Sequence, residues 1–315
     1  MKTRNASVLL GGLLALFLAA SASAAPTAVG IRDGVVVDTA RSVAYVMQPQ
    51  GGIQALDLRR GSVLWRSADG ERPLAVAGNV LVAQAQPGAR GELRLVGLAV
   101  RGGALVSTAE IPMPEGVQAG VAESLHQSFH VTAAPSEDGG VLIAWEVEEL
   151  SGLPAHRDSQ LGPQPAVAES GSHKGTARFD AQTGRLSVAA GRVVHAAVAM
   201  SLSAPSVEEN RFSSADGRHV LTSRLVDDAA ALPYSWTISD AKTGAVLGSL
   251  RSEASMAPFA VVGARLVHVA QPTMHLEDGK MVERPLRLRA VELTTGREAW
   301  RREIRDTAWR GPVPN

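Results

Sequence analysis

The chain has 315 residues, 31 basic and 31 acidic side chains, and no cysteine. That composition excludes disulfides, thiolate metal sites, a Cys nucleophile, covalently held haem and an acylated-Cys lipid anchor. Zero net charge gives none of the basic excess that marks a nucleic-acid surface.

Taken in chain order, residues 1–24 read as a secretory signal peptide. Lys2 and Arg4 form a positive n-region, Val8 to Ala20 an apolar stretch of 13 residues, and Ala22-Ser23-Ala24 a small-residue cleavage site. The stretch falls short of the roughly 20 residues that a spanning helix needs. Residues 25–315 are therefore expected as one periplasmic or secreted domain without a membrane span, long enough to bury a core without covalent staples.

Beyond the leader, strand signals dominate. Short Val-, Leu- and Ala-rich runs recur between Gly, Asp, Asn and Pro: 35–37, 43–46, 79–82, 141–144, 219–222 and 265–269. No helical period is sustained. This predicts an all-β fold of many short strands: a sandwich, a barrel or a propeller.

Internal repetition favours the propeller. An apolar strand, a turn with Thr-Gly or its equivalent, and a second apolar strand appear at 55–65, 179–186, 239–247 and 290–300, with a weaker copy at 98–106. The acidic residue of each turn accepts backbone N–H groups, and the Gly takes a positive φ. A second hairpin precedes: 75–82 and 260–267 are nearly superimposable, and 212–221 is a third version. Two hairpins make one four-stranded antiparallel blade. Five blades are visible near 34–65, 74–107, 117–190, 211–250 and 259–303. The hairpin glycines lie 42, 81, 60 and 52 residues apart, against about 40–45 for a typical blade. Up to seven blades are allowed, with a cryptic one in 108–210. Three stretches read as loops, an insertion near 150–175 and the shorter 227–233 and 272–285, and binding is expected there.

The pattern Ala-x-Asp-x-x-Thr-Gly-x-x-x-Trp resembles the tryptophan-docking repeat of the pyrroloquinoline-quinone (PQQ) dehydrogenases and their non-enzymatic relatives. Ala55, Asp57, Gly61 and Trp65 match, with Arg60 at the Thr position. Ala290, Thr295, Gly296 and Trp300 match, with Glu292 for Asp. Asp180, Thr183 and Gly184 keep the turn with Val188 for Trp, and Asp240, Thr243 and Gly244 keep it with Gly248. The resemblance implies that Trp65 and Trp300 pack between blades. In the dehydrogenases the cofactor rests on a disulfide between adjacent cysteines and on a calcium ion, so this Cys-free chain looks more like the cofactor-free branch. That branch includes a lipid-anchored propeller of the outer-membrane assembly machinery, whose anchoring Cys is missing here.

Candidate chemistry is sparse. His156, Asp158 and His173 fall in or beside the long insertion without metal-site spacing. His126 and His130 would lie about 13 Å apart on a strand. Glu146, Glu148 and Glu149 read as a solvent-facing strand edge, and no G-x-S-x-G elbow occurs. The expectation is a non-catalytic binding or scaffolding propeller of the cell envelope, with a protein or envelope-component partner and no cofactor, metal or nucleic acid. An enzyme on the same scaffold, a quinone- or metal-dependent oxidoreductase or a hydrolase, is the rival reading.

Overall fold

The computed structural model describes residues 28–306 other than 116, 118, 121–126, 137–138, 150–171, 189–209, 228–230 and 278–279. The proposed signal peptide and most of the long insertion lie outside these residues. Every regular element among them is a strand.

The first sheet runs β1 (Ala28–Arg32), β2 (Val35–Asp38), β3 (Val43–Met47), β4 (Ile53–Asp57), β5 (Val63–Ser67). The second runs β6 (Arg72–Ala77), β7 (Val80–Gln84), β8 (Leu93–Ala99), β9 (Leu105–Ile111). The third holds β10 (Gln127–Pro135), β11 (Val141–Glu149), β12 (Ser172–Phe179), β13 (Leu186–Val188). The fourth holds β14 (Arg211–Ser213), β15 (His219–Leu225), β16 (Tyr234–Asp240), β17 (Val246–Ser252). In the fifth, β18 (Phe259–Val262) and β19 (Arg265–Ala270) are followed by an inserted hairpin, β20 (Thr273–Glu277) and β21 (Lys280–Arg284). The sheet then resumes with β22 (Arg287–Glu292) and β23 (Glu298–Glu303). Each sheet is an antiparallel meander in chain order, so its first strand lies at one edge and its last at the other.

Neighbouring sheets pack face to face around apolar clusters. Tyr45, Ile53 and Ala55 of the first meet Leu81, Val96 and Leu98 of the second. Leu93 and Leu95 meet Val131, Ile143 and Phe179 of the third. Leu221, Trp236 and Ile238 of the fourth meet Phe259, Leu266 and Val291 of the fifth. Val267 and Leu288 of the fifth return to Val37 and Val46 of the first. The last sheet thus packs on the first, and the chain is an all-β propeller of five sheets among its described residues.

Sequence pattern explains which sheets are covered on both faces. β2, β7 and β18 are buried at every position, as their continuous apolar runs require. β15 alternates, burying Leu221 and Ser223 and exposing Thr222 and Arg224, the signature of a strand packed on one side.

The five sheets stand where the repeats place them. β1 is an added inner strand that the repeats do not show. Residues 273–284, expected as a loop, form a hairpin; Asp278-Gly279 between apolar-polar alternation carried that signal. Within 108–210 the described residues hold one four-stranded sheet after the end of β9, and 189–209 lie outside them.

Candidate functional site

Antiparallel order puts the repeated hairpin turns, none longer than six residues, at one end of the sheets, and the longest connections, with the two-residue β1–β2 turn at Asp33-Gly34, at the other. The turn end carries residues 39–42, 58–62, 100–104, 181–185, 241–245 and 293–297. The opposite end carries the connections 48–52, 85–92, 226–233 and 271–286, the bounds of the 150–171 segment, and the links between sheets.

The turn end holds the repeated motif. Asp180 accepts the N–H groups of Gln182 and Thr183, and Asp240 those of Lys242 and Thr243. The backbone N–H of Thr183 and of Thr243 leads the causes that hold these two half-exposed carboxyls below the usual carboxylate range. Asp57 accepts from Arg59 N at 2.7 Å. From each turn the outer strand reaches the next sheet. The Trp65 indole N–H donates to Val100 O at 2.9 Å and that of Trp300 to Leu58 O at 3.0 Å. Each ring lies over the turn glycine of its neighbour: Trp65 over Gly103 and Trp300 over Gly61. Ser107 Oγ donates to Ala181 O at 2.7 Å, the same seat filled by a smaller side chain. In the fourth sheet Gly248 lets β17 approach the Leu293 carbonyl. Ala55 and Ala290 are fully buried beneath these contacts, Ala55 paired with Trp65 and Ala290 with Trp300. Thr295 Oγ1 accepts from Arg297 N, and Gly296 closes its turn by donating to Glu292 O.

At the loop end, charged groups converge near the inner strands. A cavity of about 160 Å³ is lined by Arg32, Asp33, Pro73, Leu74 and Thr132, among others. Arg72, 2% exposed, stands 3.6 Å from Asp33. Arg32 donates to both Asp306 oxygens at 2.9 and 3.0 Å and to Gln271 Oε1 at 2.9 Å. Arg305 pairs with Glu71, which also accepts from Gly52 N. Backbone bonds Ile304 N to Leu286 O and Arg305 N to Met47 O fix the segment. Residues 304–306 therefore bind the fifth, first and second sheets together. Sequence reasoning missed this set because Arg32 and Asp306 are 274 positions apart and no local motif marks either.

The structure does not assemble the sequence's candidate ligands. His156, Asp158 and His126 lie outside the described residues. His130 Nε2 is 2.8 Å from Ser128 Oγ, and His173 pairs with Val147 across β11–β12. Glu146 forms an ion pair with Lys174. The backbones of Glu148 and Glu149 pair with Ser128 and Gln127 on β10. Among the described residues no group of three His, Asp or Glu side chains is placed to hold a metal ion, and no helix is long and apolar enough to cross a membrane. Among the described residues the most strongly shifted group is His268, between the fourth and fifth sheets. Burial, then the nearby Arg289, pushes it down to about 3, and its ring meets Trp236 edge-on at 5.3 Å.

No family model matches the chain, and no curated protein does. Solved structures do. BamB from Moraxella catarrhalis is 14% identical with a TM-score of 0.28, and the match covers 85% of this chain and 62% of that one. The computationally designed Ika8 protein is 14% identical with a TM-score of 0.24, covering 88% of this chain and 61% of that one. The β-propeller domain of Cps50 (Swd1) from Myceliophteria thermophila is 10% identical with a TM-score of 0.25, covering 87% and 86%. The chain thus spans about 62% of the BamB and 61% of the Ika8 chain.

Proposed function

We propose that this chain is an exported propeller of PQQ-like repeat type that binds a protein or other envelope component through the loop end of its sheets. The carrying observation is the segregation of connections: among the described residues, those longer than six residues leave at the end that also holds the Arg32, Asp33, Arg72 and Arg305 cluster. The opposite end is built from short turns whose acceptors are used within the repeat. A rigid scaffold that presents variable loops on one side is suited to recognition. Export is supported by residues 1–24, and the repeat type by the two indole seats.

Photo-crosslinking residues at Gln50 and Arg90, on the loop end, and at Arg60 and Lys242, on the turn end, test the reading in the native envelope. Adducts confined to the loop-end positions are expected. Adducts from the turn end alone, or stoichiometric binding of PQQ with calcium to the purified protein, replace it.

A further inference from the structure

The fifth, first and second sheets adjoin one another through described residues at both junctions, and their two ends differ in charge. At the loop end Arg32, Arg72 and Arg305 each face a carboxylate, on Asp306, Asp33 and Glu71. The turn end of the same sheets holds Arg41, Arg59, Arg60, Arg101, Arg265 and Arg297 against Asp38, Asp57 and Glu292 alone. Arg41 pairs with Asp38 and Arg265 with Glu292. Asp57 accepts the backbone N–H groups of Arg59 and Arg60. Glu298, beside Arg297, pairs with Arg289 and Arg301 on the outer strands. Arg59, Arg60, Arg101 and Arg297 are exposed and have no ion-pair partner among the described residues.

Exposed aliphatic side chains stand beside these arginines. Leu64 is 52% exposed, Leu105 47% and Val106 43%, all within the first two positions of an outer strand that leaves the turn end. The register turns them out. Leu56 pairs with Val63 and Ala55 with Trp65, so Leu64 has no partner across β4–β5. Leu98 pairs with Leu105 and Gly97 with Ser107, which leaves Val106 bulged in the same way. Such bulges protect an edge from pairing with another strand, but they do not require a large apolar residue at the bulge. In the fifth sheet the equivalent position is Ala299.

We propose that the turn end of these three sheets rests on an anionic phospholipid surface. The four free arginines lie among headgroup phosphates, and Leu64, Leu105 and Val106 reach the acyl boundary. Cations interleaved with aliphatic side chains are what such a surface selects. A protein interface instead centres on aromatic anchors, whereas the exposed large apolar side chains among the described residues are all Leu or Val. A soluble polyanion would use the arginines and leave the aliphatic groups in water. This placement turns the loop end away from the membrane and toward a partner, yet does not depend on one. Vesicle binding reads this proposal and protein adducts at the loop end read the other, so each can fail alone.

The test uses the chain from Ala25 onward, floated with vesicles of phosphatidylcholine alone or mixed with phosphatidylglycerol. Binding to the mixed vesicles is expected to be at least tenfold tighter at low salt and to weaken as salt screens the charges. Arg60→Glu with Arg101→Glu is expected to abolish that preference. Leu64→Ser with Val106→Ser is expected to weaken binding severalfold while the preference stays, and Arg90→Glu at the loop end to change nothing. Equal binding of the wild-type protein to both vesicles overturns the proposal whether or not the variants fold. So does soluble inorganic polyphosphate that binds the wild-type protein as tightly as the mixed vesicles do. A loss with Arg90→Glu as large as that of the double arginine variant also overturns it, by placing the contact at the loop end.

Discussion

Gly61 and Gly78 share a backbone conformation, at φ +68° and +57°, but not surroundings. A Cβ on Gly61 would stand 2.5 Å from Trp300 Cγ, whereas one on Gly78 meets nothing within 4 Å. Alanine at Gly78 should cost only the left-handed strain, about 1 kcal/mol. At Gly61 it must also displace the indole, and a loss of about 3 kcal/mol is expected. Urea midpoints of the two variants check this, and equal losses would show that Trp300 does not rest on its glycine. His268 makes a second prediction. Its imidazole is neutral in both states at neutral pH. As pH falls through 6.5 the unfolded chain takes up a proton that the folded one, held at about 3, refuses. Stability should therefore drop by up to about 1.4 kcal/mol per pH unit between these values. His268→Leu should flatten that slope while changing stability little at pH 7, since among the described residues neither ring nitrogen has a hydrogen bond of ordinary geometry to lose. Asp216 acts lower: burial raises its carboxyl, but bonds from His219, Ser214 and Arg218 outweigh this and bring it down to about 2. The stability it supplies is lost only as pH falls from 3.8 toward that value.

Between strands and sheets, the outer-strand tryptophans link sequence to architecture. Each carries a turn motif from its own sheet to the next, so removing one loosens a junction rather than a single hairpin. Trp65→Ala or Trp300→Ala should cost about 3 kcal/mol, measured by chemical denaturation. Trp65→Phe, which keeps the ring but not the donor, should lose about 1 kcal/mol. This is also where the sequence was most readable. Asp and Gly at fixed offsets, and runs alternating or continuous in hydrophobicity, encode hairpins within a few residues of themselves, and the five sheets stand on them. β1 was illegible because Ala28–Arg32 has no repeat counterpart and gains its place only by pairing with β2. The loop-end cluster was illegible for a related reason. Glu71 and Arg305, 234 positions apart, are brought together by the return of the fifth sheet to the first.

At the scale of the ring, closure and weakness lie at different junctions. The fifth and first sheets are joined by an apolar core and by the segment 304–306, where Ile304 is buried and Arg305 and Asp306 pair with the second and first sheets. The third and fourth sheets share no apolar cluster among the described residues. Their outward faces carry Thr132, Glu146, Lys174 and Thr176 on one side and Thr222, Arg224 and Thr237 on the other. Buried apolar area sets the free energy of local opening, so the molecule should open first at this polar junction. Native-state hydrogen exchange resolves the order. Amides of β3, β7 and β19, each covered on both faces, should exchange only through global unfolding. Those of β11, β15 and β16 should exchange through a partial opening roughly 2 kcal/mol lower. Truncation after Glu303 removes Ile304 and both ion pairs, and should lower global stability by about 3 kcal/mol. It should bring β3 and β19 closer to the level of β15, because the loss falls on the junction that otherwise holds longest. Uniform protection across all five sheets would mean that the third and fourth are as firmly joined as the rest.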